Sequence, residues 1–194
     1  MKIKPYLISF AILSAGMLRA VEFTIDRMPV SPFADTEVST NMAINKADIN
    51  YADLKFRFDG TPTNNLELAF GTDVNTNGVL DAGEVETRFG WRRGAYFVEN
   101  VQTWERFESE RTASPQSFSV EIHIDVRTSP QQVRRVKMSG ANASVLGGLV
   151  ADMPPAWLWK REWNLMRVTR RGLEPPSDWL DYKASNYGFS IRLR

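Results

Sequence analysis

Cysteine is absent from the 194 residues. That excludes disulfides, iron–sulfur clusters, thiol nucleophiles and cysteine-ligated zinc. A single histidine, His123, means that any Ser-His-Asp arrangement would have to use it, and no Gly-x-Ser-x-Gly elbow accompanies it. Neither sign of charge is in excess, with 24 Lys and Arg against 23 Asp and Glu. Nothing in that balance points to nucleic acid or to an anionic membrane surface. Long apolar runs are also lacking. Tyr6 to Leu18 is apolar apart from small Ser and Gly residues, but falls short of the about 20 residues that span a bilayer. No stretch of twelve or more residues carries a helical apolar stripe.

The N-terminal run instead reads as a secretory signal peptide over residues 1–20. Lys2 and Lys4 precede the apolar segment, and Leu18-Arg19-Ala20 fits a small-residue cleavage site. No Cys follows, which excludes a lipid-modified lipoprotein. Cleavage would remove Lys2, Lys4 and Arg19 and no acidic residue, tipping the mature chain slightly acidic. Residues 21–194 then form one domain, large enough for a sizeable core without disulfides. The expected location is periplasmic or extracellular, with no membrane span after cleavage.

The dominant period is two. Leu54, Phe56 and Phe58 alternate with Asp53, Lys55 and Arg57; Leu66, Leu68 and Phe70 alternate with Asn65, Glu67 and Ala69. Val85, Thr87, Phe89 and Trp91 form another row, and Phe118 to Val126 gives the cleanest one. Phe189, Ile191 and Leu193 close the chain in the same pattern. Successive side chains of a strand point to opposite faces, so these segments are expected to be half-buried strands. Asp59-Gly60, Thr61-Pro62-Thr63, Ser139-Gly140 and Arg171-Gly172 supply turn chemistry between them. Gln131 to Met138 reads as a short helix or a further strand, and Val133 and Val136, poorly placed for a buried helix face, favour the strand. Residues 29–50, poor in large apolar side chains, are expected as an irregular connection. The pattern implies an all-β antiparallel two-sheet sandwich or jelly roll.

One segment carries ion chemistry. Residues 73–84 place Asp73, Asn75 and Asn77 at positions one, three and five of a twelve-residue loop, Gly78 at six, and Glu84 at twelve. This resembles the calcium loop of EF-hand and dockerin-type proteins. The resemblance implies calcium held by side-chain oxygens of Asp73, Asn75 and Asn77, the Val79 carbonyl, Asp81 through a water, and both Glu84 oxygens. Leu80 would pin the loop to the core, and Asp81 with Glu84 could form a capping box for one helical turn. The six defining positions coincide by chance on the order of once in a million windows. Leu66 to Phe70 reads as a strand where an EF-hand has a helix, so the loop is expected as an insertion between strands. That argues against a sensor role, which needs two helices to change their angle. Neutral ligands at 75 and 77 imply weak affinity, about 10⁻³ to 10⁻⁵ M, suited to calcium outside the cytosol.

Two further constellations bear on function. Glu121, His123 and Asp125 share one strand face and are similar to the Glu-x-Asp-x-x-Glu strand of laminarinase- and lichenase-type glycosidases, which implies an acid/base and nucleophile pair at Glu121 and Asp125. His123 replaces the central Asp, and Asp125 stands in for the last Glu from four rather than five residues after Glu121. Alternating charge is also what a solvated strand face carries. Trp157, Trp159 and Trp179 are candidate sugar-stacking residues, whereas Trp91 and Trp163 are expected in the core. Trp163-Asn164-x-x-Arg167-Val168, followed by Arg171-Gly172, resembles the strand and turn of laminin-G and concanavalin-like sandwiches. Together these imply a calcium-stabilised non-enzymatic binding module with glycan as the first ligand class. The alternatives are a cell-envelope assembly protein that binds another protein, and a glycosidase built on Glu121 and Asp125.

Overall fold

A computed structural model describes residues 21–25, 37–44, 51–125, 132–140, 143–154, 163–172 and 179–185. They form eleven strands and one helix: β1 Val21–Ile25, β2 Glu37–Ala43, β3 Tyr51–Gly60, β4 Asn65–Gly71, β5 Val85–Arg92, β6 Ala95–Asn100, β7 Glu105–Glu108, β8 Gln116–Asp125, β9 Gln132–Gly140, α1 Ala143–Asp152, β10 Leu165–Arg171 and β11 Trp179–Ser185. The first sheet runs β1-β11-β3-β8-β9 and the second β2-β10-β4-β5-β6-β7. Every pairing is antiparallel. The chain is therefore an all-β two-sheet sandwich, as its alternation implies.

Period-two burial builds the core. Leu54, Phe56 and Phe58 of β3 and Phe118, Val120 and Ile122 of β8 are buried, and they belong to the same cluster as Leu66, Leu68 and Phe70 of β4, Phe89 and Trp91 of β5, and Met166 and Val168 of β10. Aromatic contacts knit the two layers. Phe56 of the first sheet lies 6.4 Å from Phe89 of the second, and Tyr96 of the second meets Phe118 of the first edge-on at 5.1 Å. Within the second layer Trp163 stacks on Phe70 with centroids 5.4 Å apart. Burying such side chains stabilises by roughly 1.5–3 kcal/mol each. Trp91 and Trp163 are core residues, 1% and 0% exposed.

Two elements depart from the sequence expectation. Within residues 29–50, expected as an irregular connection, Glu37–Ala43 is a strand paired along its length with β10. It is a polar sheet edge, largely exposed, and such edges lack the apolar alternation that marks a half-buried strand. Helix α1 was also not legible. It has ten residues with Gly147 and Gly148 at its centre, which lowers its helix propensity. Packing holds it instead: α1 contacts β9, β8 and β6 and contributes Val150, with Met153 just beyond its end, to the main core. Gln132–Gly140 is a strand, as expected. The segment 1–20, expected as a signal peptide, and the row Phe189 to Leu193 lie outside the described residues.

Candidate functional site

The connection between β4 and β5 contains the twelve-residue loop 73–84, and its shape is made by its own oxygens. Asp73, only 7% exposed, accepts hydrogen bonds from the Asn77 amide on Oδ1 at 3.2 Å and from the Gly78 amide on Oδ2 at 2.9 Å. Glu84 reaches back across the loop. Its Oε1 accepts from the Val74 and Asn75 amides at 2.9 and 3.3 Å, and its Oε2 from the Asp81 amide at 3.1 Å. That last bond is the side-chain half of the expected capping box; the other half is replaced by a backbone bond from the Glu84 amide to the Asp81 carbonyl at 3.0 Å. Asn75 and Asn77 both donate their side-chain amides to Asp81 Oδ2, at 3.1 and 3.2 Å. Side chains 75, 77 and 81 thus converge on one point. Gly78 sits at φ 77°, a left-handed conformation that costs little only for glycine.

The sandwich holds this loop from three sides. Asn164 accepts from the Asp73 amide on Oδ1 at 2.7 Å, and its Nδ2 donates to the Asp73 carbonyl at 3.4 Å. Its own backbone ties Gly71 to Ile44, donating to the Gly71 carbonyl at 3.1 Å and accepting from the Ile44 amide at 2.6 Å. Leu80 is fully buried in a small second cluster with Ala69, Val85 and Leu165. The Leu80 amide donates to Asn41 Oδ1 at 3.0 Å, and its carbonyl accepts from Arg167 Nη1 at 2.6 Å. The strand-and-turn Trp163-Asn164-x-x-Arg167-Val168 therefore has a local meaning: Trp163 and Val168 fill the core while Asn164 and Arg167 grip the loop.

Among the described residues no group of three or more His, Cys, Asp or Glu side chains is gathered so as to hold a metal ion. The oxygens of the loop are mixed: three carboxylates, Asp73, Asp81 and Glu84, with the amides of Asn75 and Asn77 and the Val79 carbonyl. That hard oxygen set is the kind calcium takes. Each amide Oδ1 already accepts one backbone bond, Asn75 from the Asn77 amide at 3.0 Å and Asn77 from the Val79 amide at 2.7 Å, and keeps a second lone pair.

Arg167 also leads out of the loop onto the solvent face of the second sheet. Its Nη2 lies 3.5 Å from Glu67. Arg88 contacts Glu67 at 3.4 Å and Glu99 at 2.6 Å, and Arg106 contacts Glu99 at 3.7 Å and Glu108 at 2.8 Å. Cross-strand register lays these residues side by side: Arg88 faces Glu99, and Glu99 faces Arg106. Burial opposes the Arg88 charge, but its hydrogen bond to Glu99 and the charges of Glu67 and Glu99 outweigh that and raise its pKa above the usual arginine value.

This face is pitted. Gly90 lies opposite Glu67 on one side and Phe97 on the other, so no side chain fills the space between them. A Cβ there would meet the Leu66 carbonyl oxygen at 2.0 Å, with φ at 152°, which restricts the position to glycine. A depression of about 290 Å³ opens there, lined by Glu67, Arg88, Arg92, Arg167 and Phe97, with the small polar groups Ser39, Asn65 and Thr169. A second, of about 320 Å³, is lined by Arg92, Arg93, Arg106, Glu108 and Arg111. The sequence reading missed this basic cluster because the charge of the whole chain is balanced. The available signal was the Arg92-Arg93 pair at a hairpin tip, on the polar alternate of β5.

The other sequence candidates lie elsewhere. Glu121 is 3.8 Å from Lys55 on the first sheet, and His123 pairs through Nδ1 with Asp53 of the neighbouring strand. Both therefore sit in cross-strand polar pairs on a sheet face. Trp179 begins β11, while Trp157 and Trp159 lie outside the described residues. Trp104, in the β6–β7 turn, is 77% exposed and has φ 60°.

No family model matches the chain, and no curated protein does. Among solved structures the chain is similar to the lectin UEA-II complexed with galactose, at 8% identity and a TM-score of 0.34, covering 86% of this chain and 99% of that one. Lectin II from Ulex europaeus is similar to the same degree, with 8% identity, a TM-score of 0.34 and the same coverage. A likeness at that level carries no argument about ligand. The sandwich assignment rests on the strand order and burial described above.

Proposed function

We propose that the chain is an exported, calcium-stabilised, non-enzymatic binding module with glycan as its ligand class. The observation that carries the proposal is the closed oxygen architecture of loop 73–84. Asp73 and Glu84 already curl the backbone, and Asn75, Asn77 and Asp81 converge on one point. Asp73, Asn75, Asn77, Val79 and Glu84 would hold calcium directly and Asp81 through a water. The ion would supply structural charge compensation, keeping a buried carboxylate and a long connection in place. A polar, pitted sheet face supports a glycan ligand better than a flat apolar one would. Among the described residues the exposed large apolar side chains are Val74, Val79, Trp104, Phe107 and Val145, spread over the loop, the β6–β7 edge and α1 without forming one patch. Trp157, Trp159 and Trp179 stand as proposed stacking residues.

Titration calorimetry and thermal melts with calcium, and magnesium as control, test the ion. A ligand that binds only the folded state stabilises by RT ln(1 + [L]/Kd), about 1.4 kcal/mol at ten times Kd. No heat and no shift at about 10 mM calcium, above the weak range proposed, would reduce the loop to an ordinary turn. A glycan array on residues 21–194, with and without calcium, tests the ligand class. Export predicts that the purified protein begins at Val21 by intact mass, and retention of Met1 would overturn it.

A further inference from the structure

We infer that the solvent face of the second sheet is a binding site for acidic glycan, with Arg92 and Arg93 as the groups that take the carboxylate or sulfate. The inference rests on the glycan reading above and adds the charge class and the place. Most cations on this face are already committed. Arg88 is held by Glu67 and Glu99, Arg106 by Glu99 and Glu108, Arg111 by Glu108, and Arg167 by Glu67 and the Leu80 carbonyl. Arg92 and Arg93 are different: among the described residues neither guanidinium has a hydrogen bond or ion pair.

Their position gives those spare charges a purpose. Arg92 lines both depressions, so it stands between them. Arg93 is exposed at the hairpin tip, fixed there by its amide, which donates to Asn65 Oδ1 at 3.1 Å, and held at φ 50°. A left-handed conformation is costly for a non-glycine residue, and here the Asn65 bond and the hairpin hold it in place. Six arginines line the two depressions, Arg88, Arg92, Arg93, Arg106, Arg111 and Arg167, against three glutamates, Glu37, Glu67 and Glu108. That local excess stands out in a chain whose formal charge is only +1.

The mixed lining favours a glycan over other polyanions. A nucleic acid presents a phosphate at every step and is met by a uniformly basic track. Here carboxylates interrupt the arginines, and Ser39, Asn65 and Thr169 add neutral hydrogen-bonding groups, which suits a chain of neutral hydroxyls punctuated by acidic ones. Guanidinium forks are matched in geometry to carboxylate and sulfate.

The test is binding of the mature protein to immobilised polygalacturonate and heparin, with dextran as the neutral glycan and single-stranded DNA as the control polyanion. The two acidic glycans separate carboxylate from sulfate. Expected are retention on at least one of them, at least tenfold weaker binding to dextran and to DNA, and at least tenfold weakening by Arg92→Gln with Arg93→Gln. Arg92→Lys should recover part of the loss. Melting temperatures verify that the variants fold, and Arg93→Gln alone provides a milder variant. Equal retention on DNA would overturn the glycan assignment. Preference for dextran, unaffected by the Gln variants, would overturn the inference and leave the broader glycan reading standing. Binding to none of the three glycans would overturn both.

Discussion

Arg167 Nη1 donates to the Leu80 carbonyl at 2.6 Å, joining the ion-type loop to the solvent face of the second sheet. The same guanidinium reaches Glu67 through Nη2 at 3.5 Å, and Glu67 is shared with Arg88. One side chain therefore spans the two regions to which function is assigned above. Any change that tightens the loop also fixes one wall of the depression beside Gly90.

Replacing Arg167 with Met keeps most of its apolar stem but leaves the Leu80 carbonyl without its side-chain donor. Losing such a partner costs about 1–3 kcal/mol when the acceptor stays buried, and the part-buried setting here favours the lower half. The urea midpoint should fall accordingly with an unchanged slope. Calcium affinity should weaken as well, because the loop loses one of the groups that hold it to the sandwich. Unchanged affinity would mean that Asn164, Asn41 and the buried Leu80 suffice to hold the loop.

The two tryptophans at opposite extremes of burial should behave oppositely. Trp163→Ala removes a 0% exposed indole stacked on Phe70 and should cost about 3–5 kcal/mol. For a chain of this size that lowers the melting temperature by roughly 2–4 °C per kcal/mol. Trp104→Ala, at 77% exposure, should stay within about 0.5 kcal/mol. Thermal melts of the two variants decide both, and a large loss at Trp104 would mean that it packs against a partner surface.

The contrast also explains what was legible from residues alone. Where a strand buries one face, alternation announces it, so β3, β4, β5 and β8 could be read directly. Strand β2 escaped because its stability comes from pairing with β10 rather than from its own apolar residues. Helix α1 escaped because two central glycines mask a short segment whose order comes from docking. In loop 73–84 the spacing marked the residues that shape the turn, since Asp73 and Glu84 stand where their oxygens accept the amides of residues 74, 75, 77, 78 and 81. The arginine-rich face was not legible, because strand pairing across the sheet brings together arginines up to 79 positions apart, from Arg88 to Arg167. Composition cannot reveal a charge excess that the rest of the chain cancels.

Tyr96 gives the sandwich an alkaline limit. Burial pushes its phenol above the ordinary value of 10.0, because the charged form is the one that desolvation penalises. A folded-state pKa raised above the unfolded value contributes stability that is fully present below the unfolded pKa and is lost as pH rises toward and through the folded one. The urea midpoint should therefore show no Tyr96 contribution to its slope below about pH 9 and should decline from about pH 10 upward. Tyr96→Phe should flatten that decline. If the wild type and the Phe variant lose stability in parallel between about pH 10 and 11, another group sets the limit.

The loop carboxylates separate structural from ion-dependent roles. Asp73 and Glu84 each accept backbone hydrogen bonds from the loop, so even without calcium they hold its curvature. Asp73→Asn and Glu84→Gln preserve shape but turn one acceptor oxygen into a donor, and each should lower the calcium-free stability by about 1 kcal/mol. Their effect on calcium should be far larger. Asp73→Asn removes a negative ligand at the first position, and Glu84→Gln removes the carboxylate proposed to supply two oxygens. Either should abolish the calcium-dependent rise in melting temperature. Asn75→Ala and Asn77→Ala remove neutral ligands and should only reduce it. Melts of all four variants across a calcium series, with magnesium alongside, read both effects in one experiment. A calcium shift that survives intact in Asp73→Asn and Glu84→Gln would place the ion outside this loop.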